Sequence, residues 1–237
     1  MSVVTKATVP AASRFNMYVP IHKALRAFMG DTLAAVGRLD PTDDSDVAVT
    51  LDQARTLLTV LTVHLEGENA FVHPAMEARR PGSTAQTAHD HVEHQCALAE
   101  LAALIEAVPR ETGAERATAV ATLYARLALF VAENIEHMGM EERDNMAVLW
   151  ADYSDRELAA LDGAIVAHVP PAAKAVALRW MMVALNHAER VHMLQNVRRA
   201  APPETFEGLL AIARSHLNGR DWAKLAAALE PTTARAA

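Results

Sequence analysis

The sequence predicts an all-α protein: an up-down-up-down four-helix bundle followed by additional C-terminal helices. The chain has 237 residues, of which 51% are hydrophobic and nine are glycine, so it has enough apolar material for a large core. Alanine and leucine are plentiful while β-branched runs are few, which favours helix over sheet. Proline, glycine and acidic clusters divide the chain into long helical segments with short connections, which is typical of a bundle.

The first two helices have clear ends. The first is predicted over residues 13–39, because Asp-Pro at 40–41 does not continue a helix. The acidic segment 43–46 suits the start of the second helix, where carboxylates meet the positive end of the helix dipole. We expect that helix to continue to about Arg80, since Pro-Gly at 81–82 interrupts it.

The third and fourth helices are delimited in the same way. Ser83 is a candidate cap for the third helix, which is expected to end near Pro109. Thr112 and Glu115 have the spacing of a capping box, which predicts the start of the fourth helix. This helix is expected to reach about Tyr153.

The rest of the chain is predicted to be helical in shorter pieces. Ser154 and Glu157 repeat the capping-box spacing and predict a helix that ends near His168. Further helix boundaries are expected at the dipeptides Pro-Pro 170–171, Pro-Pro 202–203 and Asn-Gly 218–219. We therefore expect residues 13–153 to form the bundle and residues 154–230 to form a C-terminal extension packed on it.

Composition and charge exclude several classes of protein. The formal charge is −7 without a run of Lys or Arg, whereas a nucleic-acid partner requires a basic surface. Cys96 is the single cysteine, which excludes an intramolecular disulfide and a thiolate zinc site. The first 15 residues lack a secretory-signal pattern, and no stretch reaches the roughly 18 apolar residues of a membrane span. We expect a cytoplasmic protein with no nucleic-acid or membrane partner.

Each of the four apolar helix faces is interrupted by histidine. Core positions of a bundle recur every three or four residues, and on that spacing the third helix places His91 and His94 in line with Leu98. Two histidines, His64 and His137, are followed four residues later by glutamate. The inward-facing polar residues of the four helices are His22, His64, Glu68, His91, His94, His137 and Glu141.

A shared metal centre explains this set of buried polar groups. A buried carboxylate without a partner costs several kcal/mol, and pairing, protonation or metal binding removes that cost. A single buried histidine is more often a packing residue, but four helices that each contribute one favour a metal site. Because residues at i and i+4 share a helix face, His64 with Glu68 and His137 with Glu141 can reach neighbouring ions. Imidazole and carboxylate ligands without thiolate suit iron or manganese, with zinc possible.

Two further pairs have the same spacing, His73 with Glu77 and His89 with Glu93. His73 lies nine residues after His64, which is about half a turn out of phase at about 100° per residue. His89 falls on a different face of the third helix from its apolar residues. We predict surface or boundary positions for both pairs.

At these residues the chain resembles the hemerythrin-like family, also called the HHE cation-binding domain. The family pattern is a histidine, then HxxxE, then a histidine, then HxxxE, with one element on each helix. His22 matches the first element, residues 64–68 the second and residues 137–141 the fourth. His91 and His94 both fit the third element, so either or both are candidate ligands.

The resemblance covers about residues 15–150, and the tail looks like that of a bacterial subgroup. It implies two non-haem iron ions bridged by carboxylates and capped by histidines, with manganese or zinc less expected. It also implies that the protein binds or senses a small diatomic ligand such as dioxygen or nitric oxide. Tyr18 and Asn134, each one turn from a histidine of the pattern, are candidates to orient that ligand.

Two other functions stay open. One is a di-iron enzyme of nitrosative or oxidative stress, which repairs iron–sulfur clusters or consumes peroxide or nitric oxide. The other is a protein–protein interaction module in which the metal is structural. The oligomeric state does not follow from the sequence.

Overall fold

The computed structural model describes residues 14–230, and this part of the chain is mainly helical, without strands. Residue 13, where the sequence placed the start of the first helix, lies outside the described residues, and so does most of the N-terminal segment inspected for a signal. The bundle elements in chain order are α1 (Tyr18–Arg38), α2 (Asp44–Gly67), a π-helix (Glu68–Val72), α3 (His73–Arg79), α4 (Ala85–Ala107), a 3-10 turn (Val108–Arg110), α5 (Gly113–Met140), a second π-helix (Glu141–Asn145) and α6 (Met146–Asp152).

Four helical segments surround one core, as predicted. α1 packs against α2 and α5, and α4 packs against the same two helices, which closes the bundle. Short connections between consecutive segments give the up-down-up-down order. Apolar side chains from every segment meet in the interior, among them Leu25, Met29, Leu57, Leu101, Leu123 and Phe130.

Two π-helices interrupt the second and fourth segments at corresponding places. One spans Glu68–Val72 and the other Glu141–Asn145, and each begins at the glutamate of an HxxxE pair. A π-helix takes more residues per turn than an α-helix, so the residues that follow it are rotated relative to an uninterrupted helix. Both glutamates therefore lie where the helix changes phase.

The helix caps agree with the sequence in part. Asp43 caps α2 by accepting hydrogen bonds from the backbone of residues 45 and 46, and Ser154 forms the predicted capping box with Glu157. The caps predicted at Ser83 and Thr112 are wrong, since neither side chain caps a helix.

In the turn before α4, the backbone is held by a residue of α3. The Glu77 carboxylate accepts hydrogen bonds from the backbone N–H groups of Gly82 and Thr84, at 2.7 and 2.9 Å. Gly82 has a φ of 83°, which permits the tight turn between the second and third segments. A glutamate from the preceding helix thus fixes the turn that leads into α4.

Five helices follow the bundle: α7 (Asp155–His168), α8 (Pro171–Ala184), α9 (His187–Ala200), α10 (Pro203–His216) and α11 (Gly219–Leu229). The breaks before α7, α8, α10 and α11 were predicted, whereas the break between α8 and α9 was not. α8 packs along α1, where Trp180 stacks on Phe28 with ring centroids 4.6 Å apart. α7 lies against the first π-helix. A separate apolar cluster, which includes Met182, Leu194 and Phe206, joins α8 to the last three helices. The division into two domains stays a prediction.

Among residues 14–230, one helical run, Gly113–Asp152, is long and apolar enough by length and composition to cross a membrane. A core helix of a bundle meets the same criterion, and this run carries Asn134, His137 and Glu141 on its buried face.

Candidate metal centre

Six of the seven sequence-predicted residues converge inside the bundle. They lie on all four helical segments at one level of the core, and His22 and Glu141 are completely buried. His64 retains 17% of its side-chain exposure and lies nearest to solvent. The residues brought together are His22, His64, Glu68, His91, His137 and Glu141.

The first group of ligand atoms comes from α1, α2 and the first π-helix. It consists of His22, His64 and Glu68, with one potential ligand atom from each lying within 4.8 Å of the others. The Nε2 atom of His64 is 3.3 Å from Oε1 of Glu68, and that of His22 is 3.9 Å from the same oxygen. Two imidazole nitrogens and a carboxylate oxygen thus face a common point.

The second group comes from the other half of the bundle and shares a carboxylate with the first. It consists of Glu68, His91, His137 and Glu141, again within 4.8 Å of one another. The Nε2 atom of His91 is 3.4 Å from Oε2 of Glu68. The Nε2 atom of His137 is 3.3 Å from Oε1 of Glu141.

Each carboxylate faces both groups, one oxygen to each. Oε1 of Glu68 lies beside His22 and His64, while its Oε2 lies beside His91. Oε2 of Glu141 lies 3.5 Å from His22, while its Oε1 lies 3.6 Å from His91 and closer still to His137. Both glutamates therefore have the arrangement needed to bridge two cations, each held by two histidines.

Several buried atoms of this cluster lack a hydrogen-bond partner. They are Nε2 of His22, Oε1 of Glu68 and both carboxylate oxygens of Glu141. The Nε2 atoms of His91 and His137 also lie 3.0 Å from each other. Unpartnered buried polar atoms are costly, and native proteins rarely keep them. The residues present therefore fit metal cations, which would satisfy these atoms together.

In the metal-free cluster, several side chains have pKa values far from their ordinary ones. Burial disfavours the charged form of His22, but its hydrogen bond to Glu142 and the nearby charge of Glu68 outweigh this effect and raise its pKa to about 9. Burial would raise the pKa of Glu141, but the close imidazoles of His137 and His91 hold this pKa well below its ordinary value. The pKa of His64 is lowered by burial. Without a cation, the cluster thus holds protons that metal binding must displace.

Three of the four histidines are oriented by a hydrogen bond from Nδ1, the ring nitrogen on the side away from the proposed ions. His22 donates from Nδ1 to Glu142 at 3.0 Å, and Glu142 also accepts from Arg26 at 2.6 Å. The acceptor for His91 is the side-chain oxygen of Asn69, at 2.8 Å.

Asp90 is the third such acceptor, 3.3 Å from Nδ1 of His137. Since carboxylates and the amide oxygen only accept, each of these bonds fixes the ring N–H on Nδ1 and leaves Nε2 free for a cation. The sequence interpretation missed all three partners. The doubled glutamate of the fourth element was a signal for Glu142, whereas Asp90 bonds to a histidine on another helix.

His94 is buried but belongs to neither group. Its ring packs edge-on against His137, with centroids 4.7 Å apart, and near Phe130 at 6.0 Å. Burial and the neighbouring His137 lower the pKa of His94 to about 4, so the ring is neutral near pH 7. Of the two candidates for the third element, the geometry brings His91 into the cluster and leaves His94 beside it.

The prediction that His73 is a surface or boundary residue is wrong. His73 is 7% exposed, and its ring stacks on that of His91 with centroids 4.7 Å apart and an angle of 19°. The π-helix between His64 and His73 absorbs about one extra residue, which brings His73 to about 80° from His64 instead of about 180°. His89 remains exposed, as predicted, beside Glu93 at 3.6 Å.

Tyr18 and Asn134 flank the centre. The ring centroid of Tyr18 is 5.1 Å from that of His22, and its hydroxyl accepts a hydrogen bond from Asn145 at 3.2 Å. Burial and the charges of Glu141 and Glu68 raise the pKa of Tyr18, which keeps the phenol protonated. Asn134 donates to the backbone carbonyl of Phe130 at 3.0 Å and lines the cavity beside the cluster.

The fold and the cluster define a helical-bundle protein with a buried His/Glu cation site. Residues 15–149 match the model of the hemerythrin HHE cation-binding domain. This match covers more than half of the chain, so the chain belongs to the hemerythrin HHE cation-binding family. Comparison with curated proteins and with solved structures gave no match. Family and cluster together support a metal cation as the cofactor.

Proposed function

We propose that the protein binds two iron ions at this centre and uses them to bind or sense a small ligand such as dioxygen or nitric oxide. The observation that carries the proposal is the orientation of Glu68 and Glu141, whose paired oxygens face two separate histidine pairs. His22 and His64 would hold one ion, and His91 and His137 the other. When bound, the iron supplies an open coordination position and electrons for reversible ligand binding.

The ligand atoms favour iron over zinc. Two carboxylates and four imidazoles give a mixed oxygen and nitrogen environment without thiolate, which suits iron or manganese. Cys96 is exposed and belongs to neither group. Structural zinc sites are mostly four-coordinate with cysteine or histidine ligands, and shared carboxylate bridges are not needed there. Iron is therefore the proposed metal, with manganese or zinc as the alternatives.

The space beside the cluster suits a very small ligand. A cavity of about 20 Å³ adjoins His64, His91 and His137, which leaves room for about one water-sized molecule. Its remaining lining is mainly apolar: Leu25, Leu61, Leu65, Leu98, Phe130 and Met138. Such a lining limits access of water and protons to the centre, which favours reversible binding over loss of the ligand by proton transfer.

A second candidate function is turnover of peroxide or nitric oxide under oxidative or nitrosative stress. Tyr18 supports it, because its hydroxyl accepts a hydrogen bond from Asn145 and keeps its own hydrogen free for a hydrogen bond to a group bound at the centre. Substitution Tyr18→Phe removes the proton and keeps the ring.

Metal analysis with absorption spectroscopy of the aerobically purified protein tests the first proposal. About two irons per chain, with near-ultraviolet bands that shift on addition of azide or nitric oxide, are expected. Zinc alone after expression in iron-rich medium would contradict it. Consumption of peroxide with iron retained, lost in Tyr18→Phe, would favour the second function.

A further inference from the structure

A groove on the bundle surface adjoins the buried cavity. It runs between residues 86–100 of α4 and residues 126–143 of α5 and its π-helix, and encloses about 880 Å³. Two of the described residues line both the groove and the inner cavity, namely His94 and His137. The shortest passage from this groove to the cluster therefore runs past these two rings.

The two rings differ in how firmly they are held. Both nitrogens of His137 have partners in the cluster or in Asp90, at 3.0 to 3.3 Å. The His94 side chain has no hydrogen-bond partner among residues 14–230, and its ring contacts are those with His137 and Phe130. A change of rotamer at His94 breaks no hydrogen bond, whereas a movement of His137 breaks several. His94 is therefore the ring that can swing aside.

The charge of the groove suits a cation. Five carboxylates line it against two guanidinium groups, and the carboxylates are those of Asp90, Glu93, Glu100, Glu133 and Glu136. Arg126, one of the two, is paired with Glu100 at 2.6 Å and with Glu133 at 3.7 Å. A cleft lined by one sign of charge raises the local concentration of the opposite ion and its rate of entry. Oxygen and nitric oxide, which are neutral, gain nothing from this charge.

We propose that this groove is the loading route for a divalent cation and that His94 is its gate, a residue that admits the ion without holding it in the final site. The proposal rests on the proposed function only in requiring that the buried cluster binds a cation. The groove carboxylates concentrate the ion, the His94 ring swings into the groove, and the ion passes to His137 and Glu141. No bond within the cluster needs to break for this movement.

The uptake of cobalt(II) by the metal-free full-length chain, followed by absorption in a stopped-flow instrument, tests the gate. In His94→Leu, an apolar side chain blocks the passage and does not favour a position in the water of the groove. Uptake of cobalt(II) and its removal by a chelator should therefore both slow by about tenfold. His94→Ala opens the passage and should speed both. The number of ions bound at equilibrium should stay that of the wild type in both variants. His216→Leu, which removes an exposed imidazole from α10, outside the groove, is the control.

Three results separate the possibilities. Fewer ions at equilibrium in both His94 variants would show that His94 is a ligand and overturn the gate. Unchanged rates in both variants would show that ions enter elsewhere, for example past the partly exposed His64. Failure of the wild-type chain to bind cobalt(II) at all would instead count against the proposed function.

The charge of the groove is tested separately. The double variant Glu93→Gln, Glu136→Gln removes two groove carboxylates that have no arginine partner among the described residues. Uptake should slow by about tenfold at low ionic strength and approach the wild-type rate at high salt. Glu111→Gln with Glu115→Gln removes two exposed carboxylates outside the groove as a control. Equal slowing in both double variants would exclude the groove as the loading route.

Discussion

Glu68 and Glu141 each begin a five-residue π-helix four residues after a histidine, and each directs its two carboxylate oxygens to different histidine pairs. The two halves of the centre are thus built alike, although they come from different parts of the chain. Since each helix changes phase at the glutamate, the residues just after it also turn into the core, namely His73 after one and Asn145 after the other.

The ligand set gives the first prediction. The double variant His64→Ala, His137→Ala removes one nitrogen from each proposed ion, and it should abolish stoichiometric metal binding. His89→Ala, an exposed histidine in an HxxxE pair, should bind as much metal as the wild type. Metal analysis after dialysis against a weak chelator measures both. Full metal content in the double variant would exclude these residues as ligands.

The outer hydrogen bonds give the second prediction. Glu142→Gln weakens the acceptor that orients His22, so metal affinity should fall by about tenfold while the fold is retained. Chelator competition measures the affinity, and circular dichroism checks the fold. Glu115→Gln, an exposed glutamate away from the centre, should leave the affinity unchanged. An affinity equal to that of the wild type in Glu142→Gln would mean that this bond does not position His22.

His73 gives the third prediction. Two imidazole planes only 19° from parallel and stacked at 4.7 Å do not meet at one ion, so His73 and His91 do not share a cation in this arrangement. His73→Ala should therefore keep the full metal content but destabilise the protein by about 2 kcal/mol through the lost buried ring. His73→Phe should recover most of that stability. Loss of an ion in both variants, measured by metal analysis, would make His73 a ligand.

The titrations give the fourth prediction, for the metal-free protein. The pKa values of His64, His73 and His94 are lowered, the last to about 4, so the unfolded chain takes up these protons first. Stability should therefore be lost as pH falls below about 6.5, the ordinary histidine value, towards about 4. The lowered pKa of Glu141 extends this loss to lower pH.

The contribution of His22 to stability changes with pH in the opposite direction. Because the pKa of His22 is raised to about 9, it contributes its full stabilisation below about pH 6.5, the ordinary histidine value. This stabilisation is lost as pH rises through about 9. The metal-free protein should be most stable near neutral pH, and the loaded protein more stable than it throughout. Thermal melts of both forms between pH 4 and 9 measure this. Identical melting temperatures with and without metal would contradict it.

The sequence was sufficient to predict the bundle and the position of the site along it. The reason is that apolar residues recur at helical spacing on each helix, and histidines interrupt them. It was insufficient for His73, since the spacing was counted on an uninterrupted α-helix and the π-helix after Glu68 changes the phase. The cap at Ser83 was wrong because α4 begins two residues later, after a turn that Glu77 of the preceding helix holds through Gly82 and Thr84. The choice between His91 and His94 needed the relative positions of helices, which spacing along one helix does not provide.

Anomalous diffraction at the iron edge from crystals of the iron-loaded protein tests the central claim most directly. Two peaks per chain are expected, one beside His22 and His64 and the other beside His91 and His137, with both carboxylates between them. A single peak, or peaks that leave Glu68 or Glu141 in contact with only one ion, would contradict a centre built on two shared glutamates.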